Sequence, residues 1–109
     1  MPSMENRIIC IFSTFPEKHS AADTAETLVS EGLAACVQIG SPVESTYVWN
    51  GRLCRETEYP AVIKASPGAL PKLRERFVQL HPYECPEWVQ TDCEASRAYA
   101  DFVCGTRPL

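Results

Sequence analysis

The dipeptide Asn50-Gly51 is the feature that most constrains how this chain folds. Asn-Gly between two runs of alternating apolar residues predicts a type I′ β-hairpin, because both turn residues must adopt positive φ. The turn also sets the register of the two arms. We therefore expect Trp49 to pair with Arg52 and Tyr47 to pair with Cys54.

The predicted hairpin is too long to be covered by its own domain. Its first arm, from Val37 to Trp49, would extend on the order of 40 Å at about 3.3 Å per residue, which is about the width of a domain of this length. A two-stranded ribbon that overhangs its domain is marginally stable in water. We predict a homo-oligomer with Tyr47 and Trp49 in its interface, because aromatic side chains dominate such contacts. Pro60 in the return arm lacks a backbone donor, so a bulge or an unpaired edge is expected there.

The rest of the chain alternates between strand and helix patterns. Apolar residues cover both faces of a strand at 7–12, and helical spacing follows over 22–33. Ser96 is the expected N-cap of a short last helix, and Gly105 follows that helix. This order predicts an α+β fold, a ferredoxin-like β-α-β-β-α-β sandwich with a short C-terminal helix, in a single domain over residues 1–109. The other predicted elements are strands at 34–39, 43–49, 52–65 and 87–93 and a helix at 70–80.

Composition and charge argue against several classes of protein. The net charge of −4 and the isoelectric point near 5.1, with no cluster of basic residues, argue against binding to nucleic acid or to an anionic membrane. The sequence has no run of about 18 apolar residues and no apolar leader, so we expect a cytoplasmic protein that does not span a membrane. Its six cysteines are then expected to stay reduced, and none has the Cys-x-x-Cys spacing of a structural zinc site.

The connector from His81 to Glu87 gathers an imidazole, a phenol, a thiol and two carboxylates, and two prolines stiffen it. His81, Glu84 and Cys85 are candidate metal ligands, because imidazole, carboxylate and thiolate all coordinate divalent metals. The alternative for His81 is a helix C-terminal residue that interacts with the last carbonyls. Cys85 is expected to be accessible, whereas Cys36, after two alanines at the start of a strand, is expected to be a buried small apolar residue.

A second candidate site combines residues that are distant in sequence. Lys64 ends an apolar strand, and a charged residue in such a place is rarely buried without a partner. One interpretation is an ion pair of Lys64 with Glu84 or Glu87. The other is a pocket between subunits that suits a small anion or metabolite. That pocket would be lined by Lys64, Tyr83, Glu87 and Trp49.

The sequence carries no motif of a familiar enzyme. It has no Gly-rich phosphate loop, no nucleophile elbow and no metalloprotease or Ser-His-Asp motif. A thiol that is close to a histidine in sequence is not a catalytic dyad unless the geometry brings them together. We therefore expect a binding protein, with no catalytic residues and no organic cofactor.

Five separated segments carry a family resemblance: Ser13–Pro16, Leu33–Val37, Ser45–Gly51, Ile63–Lys64 and His81–Glu87. In their order and approximate spacing they resemble the CutA divalent-cation-tolerance family. The resemblance extends over roughly residues 8–103. It implies a ferredoxin-like protomer, a homotrimer held together by strand pairing between subunits, and an architecture similar to that of the PII-like signalling proteins. It also implies a cytoplasmic role in the tolerance of copper and other divalent metals.

The chain departs from that family at two positions that bear on metal binding. In bacterial relatives the metal site has been attributed to a Cys after the first strand and to His residues before a Pro-Tyr pair. Ser13 and Leu80 stand at two of those positions here, so that only His81 remains. Ser and Leu do not compete as ligands for copper. Two hypotheses follow: a cytoplasmic homotrimer that binds Cu²⁺ or a similar divalent cation, and a PII-like trimer that binds a small metabolite or a partner protein with no direct metal role.

Overall fold

The computed structural model describes residues 6–109, which contain five strands and three α-helices. Residues 1–5 of the predicted domain lie outside the described residues. The elements are β1 (Arg7–Phe15), α1 (Lys18–Ser30), β2 (Cys36–Ile39), β3 (Val43–Trp49), β4 (Arg52–Ala65), α2 (Leu70–Leu80), β5 (Val89–Glu94) and α3 (Arg97–Cys104). The strands pair antiparallel in the order β2-β4-β1-β5, and β3 also pairs with β4. The predicted α+β, ferredoxin-like sandwich with a short last helix is confirmed.

Strand β1 is a central strand, and the predicted burial on both faces holds only in part, because Phe12 is 40% exposed on the face that Ile8 shares. Ile9, Ile11 and Phe15 pack with residues of α1 and α2 in the larger core. Ile8 points to the opposite face, where it packs with Val103 of α3. Burying one such side chain is worth roughly 1.5–3 kcal/mol. Strand β1 therefore anchors both helical layers. Among residues 6–109, no helix is long and apolar enough to cross a bilayer.

Strand β1 is longer than predicted, because it continues past Phe12 to Phe15. The polar pair Ser13 and Thr14 indicated a loop, but both residues stay in register with β4. Phe15 is 1% exposed, and the free energy gained by burying its ring keeps the strand extended as far as Pro16.

The boundaries of α1, β2 and β5 also shift by a few residues from the predictions. Helix α1 begins earlier than predicted, at Lys18, and ends at Ser30. The backbone N–H groups of Leu33 and Ala34 both donate to the Leu28 carbonyl, at 3.0 and 3.2 Å. These two residues therefore close the helix and do not begin β2. Strand β5 begins later than predicted, after the connector.

The predicted hairpin turn and its register are confirmed. Asn50 and Gly51 adopt φ angles of 52° and 75°. Trp49 pairs with Arg52, and the other predicted pairs follow along the two arms.

Strand pairing on one side of β4 is interrupted opposite Pro60, which has no backbone N–H to donate. The Pro60 carbonyl accepts the Gly40 N–H at 2.9 Å, so the side of Pro60 that lacks an N–H also faces β2 and β3. On that side the pairing breaks at residues 40–42, between β2 and β3, as expected. On the other side Pro60 keeps its register with Thr14 of β1.

The outer part of the hairpin, residues 43–58, is a two-stranded ribbon that we call the ribbon. Strand β1 pairs with β4 only as far as Tyr59, and β3 pairs only with β4, so both outer edges of the ribbon lack a strand partner within residues 6–109. The radius of gyration is 14.8 Å, more than the roughly 13 Å of a compact domain of this length. The predicted overhang is confirmed. The exposed apolar side chains of the ribbon are Val43, Tyr47, Val48, Trp49 and Leu53.

Candidate functional site

His81 begins the connector and lies in the core between α2 and β1. Helix α2 ends at Leu80, where the backbone of His81 becomes extended. The imidazole is 6% exposed and stacks on the Phe15 ring, with 4.4 Å between the ring centroids. The Phe77 ring is also close, with its centroid 5.2 Å away. His81 is therefore a member of the aromatic core.

Both ring nitrogens of His81 are hydrogen-bonded within the chain. Nε2 lies 2.7 Å from the Thr14 carbonyl oxygen, and the Tyr83 backbone N–H donates to Nδ1 at 3.1 Å. Because a carbonyl only accepts, Nε2 carries the proton and the ring is the neutral tautomer. Burial lowers the pKa of His81, although the Thr14 carbonyl and the charge of Glu58 oppose this shift.

A buried carboxylate, Glu58, lies next to this histidine and was missed by the sequence analysis. It is 7% exposed, and its Oε2 accepts hydrogen bonds from the Thr14 hydroxyl and the Tyr83 hydroxyl, each at 3.0 Å. Burial raises the pKa of the Tyr83 phenol, and the hydrogen bond to Glu58 adds to the shift. Partial burial and the charge of Glu58 also raise the pKa of Glu87. The signal in the sequence was the hairpin register, which puts Glu58 on the same face of the ribbon as Tyr47.

The predicted ligands His81, Glu84 and Cys85 do not fit a metal centre within one chain. A metal ion at His81 would have to displace one of its two hydrogen bonds. Glu84 and Cys85 are exposed on the connector, as expected for Cys85. Within residues 6–109, no three His, Cys, Asp or Glu side chains are grouped so that they could hold a metal ion. The alternative role for His81 holds for its backbone, whose N–H donates to the Phe77 carbonyl of α2 at 2.9 Å, whereas the ring bonds to a carbonyl of β1.

One chain does not bring the predicted pocket residues together. Tyr83 binds Glu58 in the middle of β4. Lys64 lies six positions further along β4, roughly 20 Å away, and Trp49 pairs at the turn, roughly 20 Å away in the other direction. Among the described residues Lys64 makes no ion pair with Glu84 or Glu87. A pocket between subunits that combines these residues stays a prediction.

Lys64 and the thiols around it form a separate group at the other end of the sheet. The Lys64 ammonium lies 5.4 Å from the centroid of the Tyr99 ring. Cys36 of β2 and Cys10 of β1 stand directly opposite Lys64 on its two sides. Cys36 was predicted to be buried, but it is half-buried, because β2 is an edge strand of the sheet.

The fold defines the class of protein to which the chain belongs. An antiparallel sheet with helices on both faces and one protruding two-stranded ribbon is an α+β sandwich of the ferredoxin-like class.

Comparisons with known proteins agree with this class and identify the family. The sequence profile of the family described as CutA1 divalent ion tolerance protein matches residues 9–106. The divalent-cation tolerance protein CutA of Thermus thermophilus is 38% identical over 94 residues, which cover 85% of this chain and 91% of that protein. The chain belongs to the CutA1 divalent ion tolerance family.

Solved structures of the same family have the same fold. The divalent cation tolerance protein from Thermus thermophilus superposes with a TM-score of 0.87 at 36% identity, over 92% of this chain and 98% of that one. CutA1 from a psychrotrophic Shewanella species superposes with a TM-score of 0.87 at 35% identity, over 94% of this chain and 96% of that one.

Proposed function

We propose that this protein is a cytoplasmic homotrimer that acts in the tolerance of divalent cations such as copper, by binding and not by catalysis. The observation that carries the proposal is the ribbon, whose two outer edges have no strand partner within the described chain. Membership of the divalent ion tolerance family supports the proposed biological role. The six unpaired cysteines suit the reducing cytoplasm.

The ribbon is suited to pairing with copies of itself. Val48 and Leu53 are 67% and 66% exposed on one face, and Trp49 is 52% exposed on the other. Unpaired strand edges are templates for strand addition, and an isolated two-stranded ribbon is marginal in water. Pairing among three copies closes into a ring that leaves no ribbon without a partner. The resemblance to PII-like proteins favours three copies over two.

The proposal has two forms, which differ in what the trimer binds. In the first, the trimer binds Cu²⁺ or a similar divalent cation directly. In the second, it is a PII-like trimer that binds a small metabolite or a partner protein, at a pocket between subunits that includes Lys64, Tyr83, Glu87 and Trp49. His81 favours the second form, because both of its ring nitrogens are already engaged.

Sedimentation at micromolar concentration tests the assembly. We expect three times the protomer mass of 12.1 kDa for the wild-type protein. Trp49→Ser should dissociate more readily, because it removes an apolar anchor from the ribbon. Val78→Ser is the matched control, since Val78 is 60% exposed on α2, outside the ribbon, and this variant should keep the wild-type mass. A wild-type mass of 12.1 kDa would contradict the proposal.

Calorimetric titration of the reduced, chelator-treated trimer with Cu²⁺ distinguishes the two forms. Saturable binding supports the first form, and we then expect it to persist in His81→Gln. Loss of binding in His81→Gln, with the mass unchanged, would indicate that the metal binds at the His81 connector. No binding to an intact trimer supports the second form.

A further inference from the structure

Two cysteines are neighbours on the face of the sheet that α3 covers. In the register of β1 and β5, Cys93 lies opposite Ile8, and Cys10 lies opposite Thr91. Cys10 and Cys93 are therefore diagonal neighbours whose side chains leave the sheet on the same face. Both pack against the cluster that includes Ile8 and Val103, and they are close enough for the Cys93 thiol to raise the pKa of the Cys10 thiol. Neither side chain is fully buried, so a small solute can reach the pair.

Lys64 supplies a positive charge beside this thiol pair. It is the residue of β4 directly opposite Cys10. Burial raises the pKa of the Cys10 thiol, as does the Cys93 thiol, whereas the Lys64 ammonium lowers it. No carboxylate of residues 6–109 forms an ion pair with Lys64, which instead lies near the Tyr99 ring. Its charge is therefore available to stabilise negative charge on the sulfur atoms.

We propose that Cys10 and Cys93 together bind one soft monovalent metal ion, of the Cu(I) or Ag(I) class, in a two-coordinate bis-thiolate site. Soft thiolate ligands select Cu(I) over harder ions. On binding, each thiol releases its proton to solvent and forms one sulfur–metal bond, and the metal stays monovalent. The two thiolates and the cation carry one net negative charge, which the Lys64 ammonium offsets.

The geometry of the thiol pair favours a two-coordinate metal ion over a structural zinc ion and over a disulfide. A structural zinc ion takes four ligands, and the described residues offer no group of three or more metal-binding side chains. A disulfide needs Cα atoms about 4.4–6.8 Å apart, whereas diagonal neighbours on adjacent strands are about 7–8 Å apart. A metal ion between two sulfur atoms contributes two bonds of about 2.3 Å each, and so it spans the wider gap.

This site goes beyond the function proposed above, because it requires neither the ribbon nor the trimer. It lies on β1 and β5 beneath α3, and the ribbon begins beyond the other end of β1.

The test is a titration of the fully reduced protein in oxygen-free buffer with Cu(I) delivered from its bicinchoninate complex. The loss of the complex's absorbance measures transfer of the metal. We expect one tightly bound Cu(I) per protomer in the wild type and at least about a tenfold loss of affinity in Cys10→Ser and in Cys93→Ser. Cys36→Ser is the matched control, because Cys36 also lies opposite Lys64 but two strands away from Cys10. Full binding in either ligand variant, or an equal loss in the control, overturns the proposal.

X-ray absorption at the metal edge of the loaded wild-type protein tests the ligand set without any variant that could unfold. Two sulfur neighbours and no nitrogen or oxygen neighbour are expected, and any other first shell overturns the site. Light scattering on the same samples separates the two proposals. A trimer that takes up no Cu(I) overturns only this inference, whereas a monomer that takes up one Cu(I) overturns only the trimer.

Discussion

The imidazole of His81 ties the end of α2 to the end of β1. It stacks on Phe15, donates to the Thr14 carbonyl and accepts from the Tyr83 backbone N–H. These contacts hold the connector against the sheet and place the Tyr83 hydroxyl next to the Glu58 carboxylate. At the scale of single residues, the histidine therefore acts as a structural contact between two layers.

Truncation of this side chain should destabilise the protein. We expect His81→Ala to lower the free energy of unfolding by about 3 kcal/mol, because it leaves a cavity beside Phe15 and removes two hydrogen bonds. Urea unfolding at fixed protein concentration measures the loss. His19→Ala is the control, since the His19 side chain is 70% exposed, and it should change stability by less than about 0.5 kcal/mol. Equal effects of the two substitutions would show that His81 is not part of the core.

The burial of His81 also predicts how stability depends on pH. Its folded-state pKa lies below the unfolded value of about 6.5, so the folded state binds fewer protons than the unfolded state between the two values. The contribution of neutral His81 to the free energy of unfolding is complete above about pH 6.5, and it is lost as the pH falls through the folded-state pKa of His81. Unfolding midpoints measured from pH 7.5 downward should therefore fall more steeply in wild type than in His81→Gln.

Comparing wild type with His81→Gln cancels the contribution of Glu87, which changes stability with pH in the opposite direction. The pKa of Glu87 is raised, so that its carboxyl favours the folded state as the pH falls, and it does so in both proteins. A slope that is unchanged in His81→Gln would mean that His81 does not titrate differently in the two states.

Single-residue roles were the least predictable from sequence. The composition of the connector indicated metal ligands, whereas in one chain the His81 ring is hydrogen-bonded at both nitrogens, and the Thr14 carbonyl that Nε2 contacts is distant in the chain. Glu58 was overlooked for the same reason, because the strand that buries it is β1. The proximity of Cys10 and Cys93 follows from the pairing of β1 with β5, which no local pattern specifies.

At the scale of elements, local signals were sufficient. Asn50-Gly51 predicted the turn, and the alternation on each side of it predicted the ribbon and its register. Element ends were less predictable, because tertiary contacts decide them. Burial of Phe15 extends β1 through two polar residues, and backbone hydrogen bonds to Leu28 delay the start of β2.

The turn offers a matched pair of glycine substitutions. Gly51→Ala should destabilise the protein by about 1–2 kcal/mol, because Gly51 has a φ of 75° and a side chain there is strained. An added Cβ meets nothing within 4 Å at either Gly51 or Gly68, and only Gly51 has a positive φ. Gly68→Ala is therefore the control and should be neutral or slightly stabilising. Thermal unfolding measures both. Equal melting temperatures for the two variants would contradict the assigned turn.

At the scale of the whole molecule, one chain is incomplete at the ribbon. The body of the domain has a core on each face of its sheet, whereas the ribbon has exposed apolar side chains on both faces and two edges without a strand partner in residues 6–109. Association through the ribbon would cover these surfaces without altering the core. Under the proposed function, a role in divalent-cation tolerance would belong to the assembly, which would offer surfaces between subunits that one chain lacks.

Hydrogen exchange of the backbone amides in the ribbon tests this central claim most directly. An uncovered two-stranded ribbon opens easily and exchanges quickly, whereas a ribbon paired between copies exchanges as slowly as a central strand. The account predicts that amides of residues 43–58 are protected to a similar degree as those of β1 in the wild-type protein, and that Trp49→Ser loses protection in the ribbon alone. Fast exchange throughout the wild-type ribbon, with β1 protected, would contradict it.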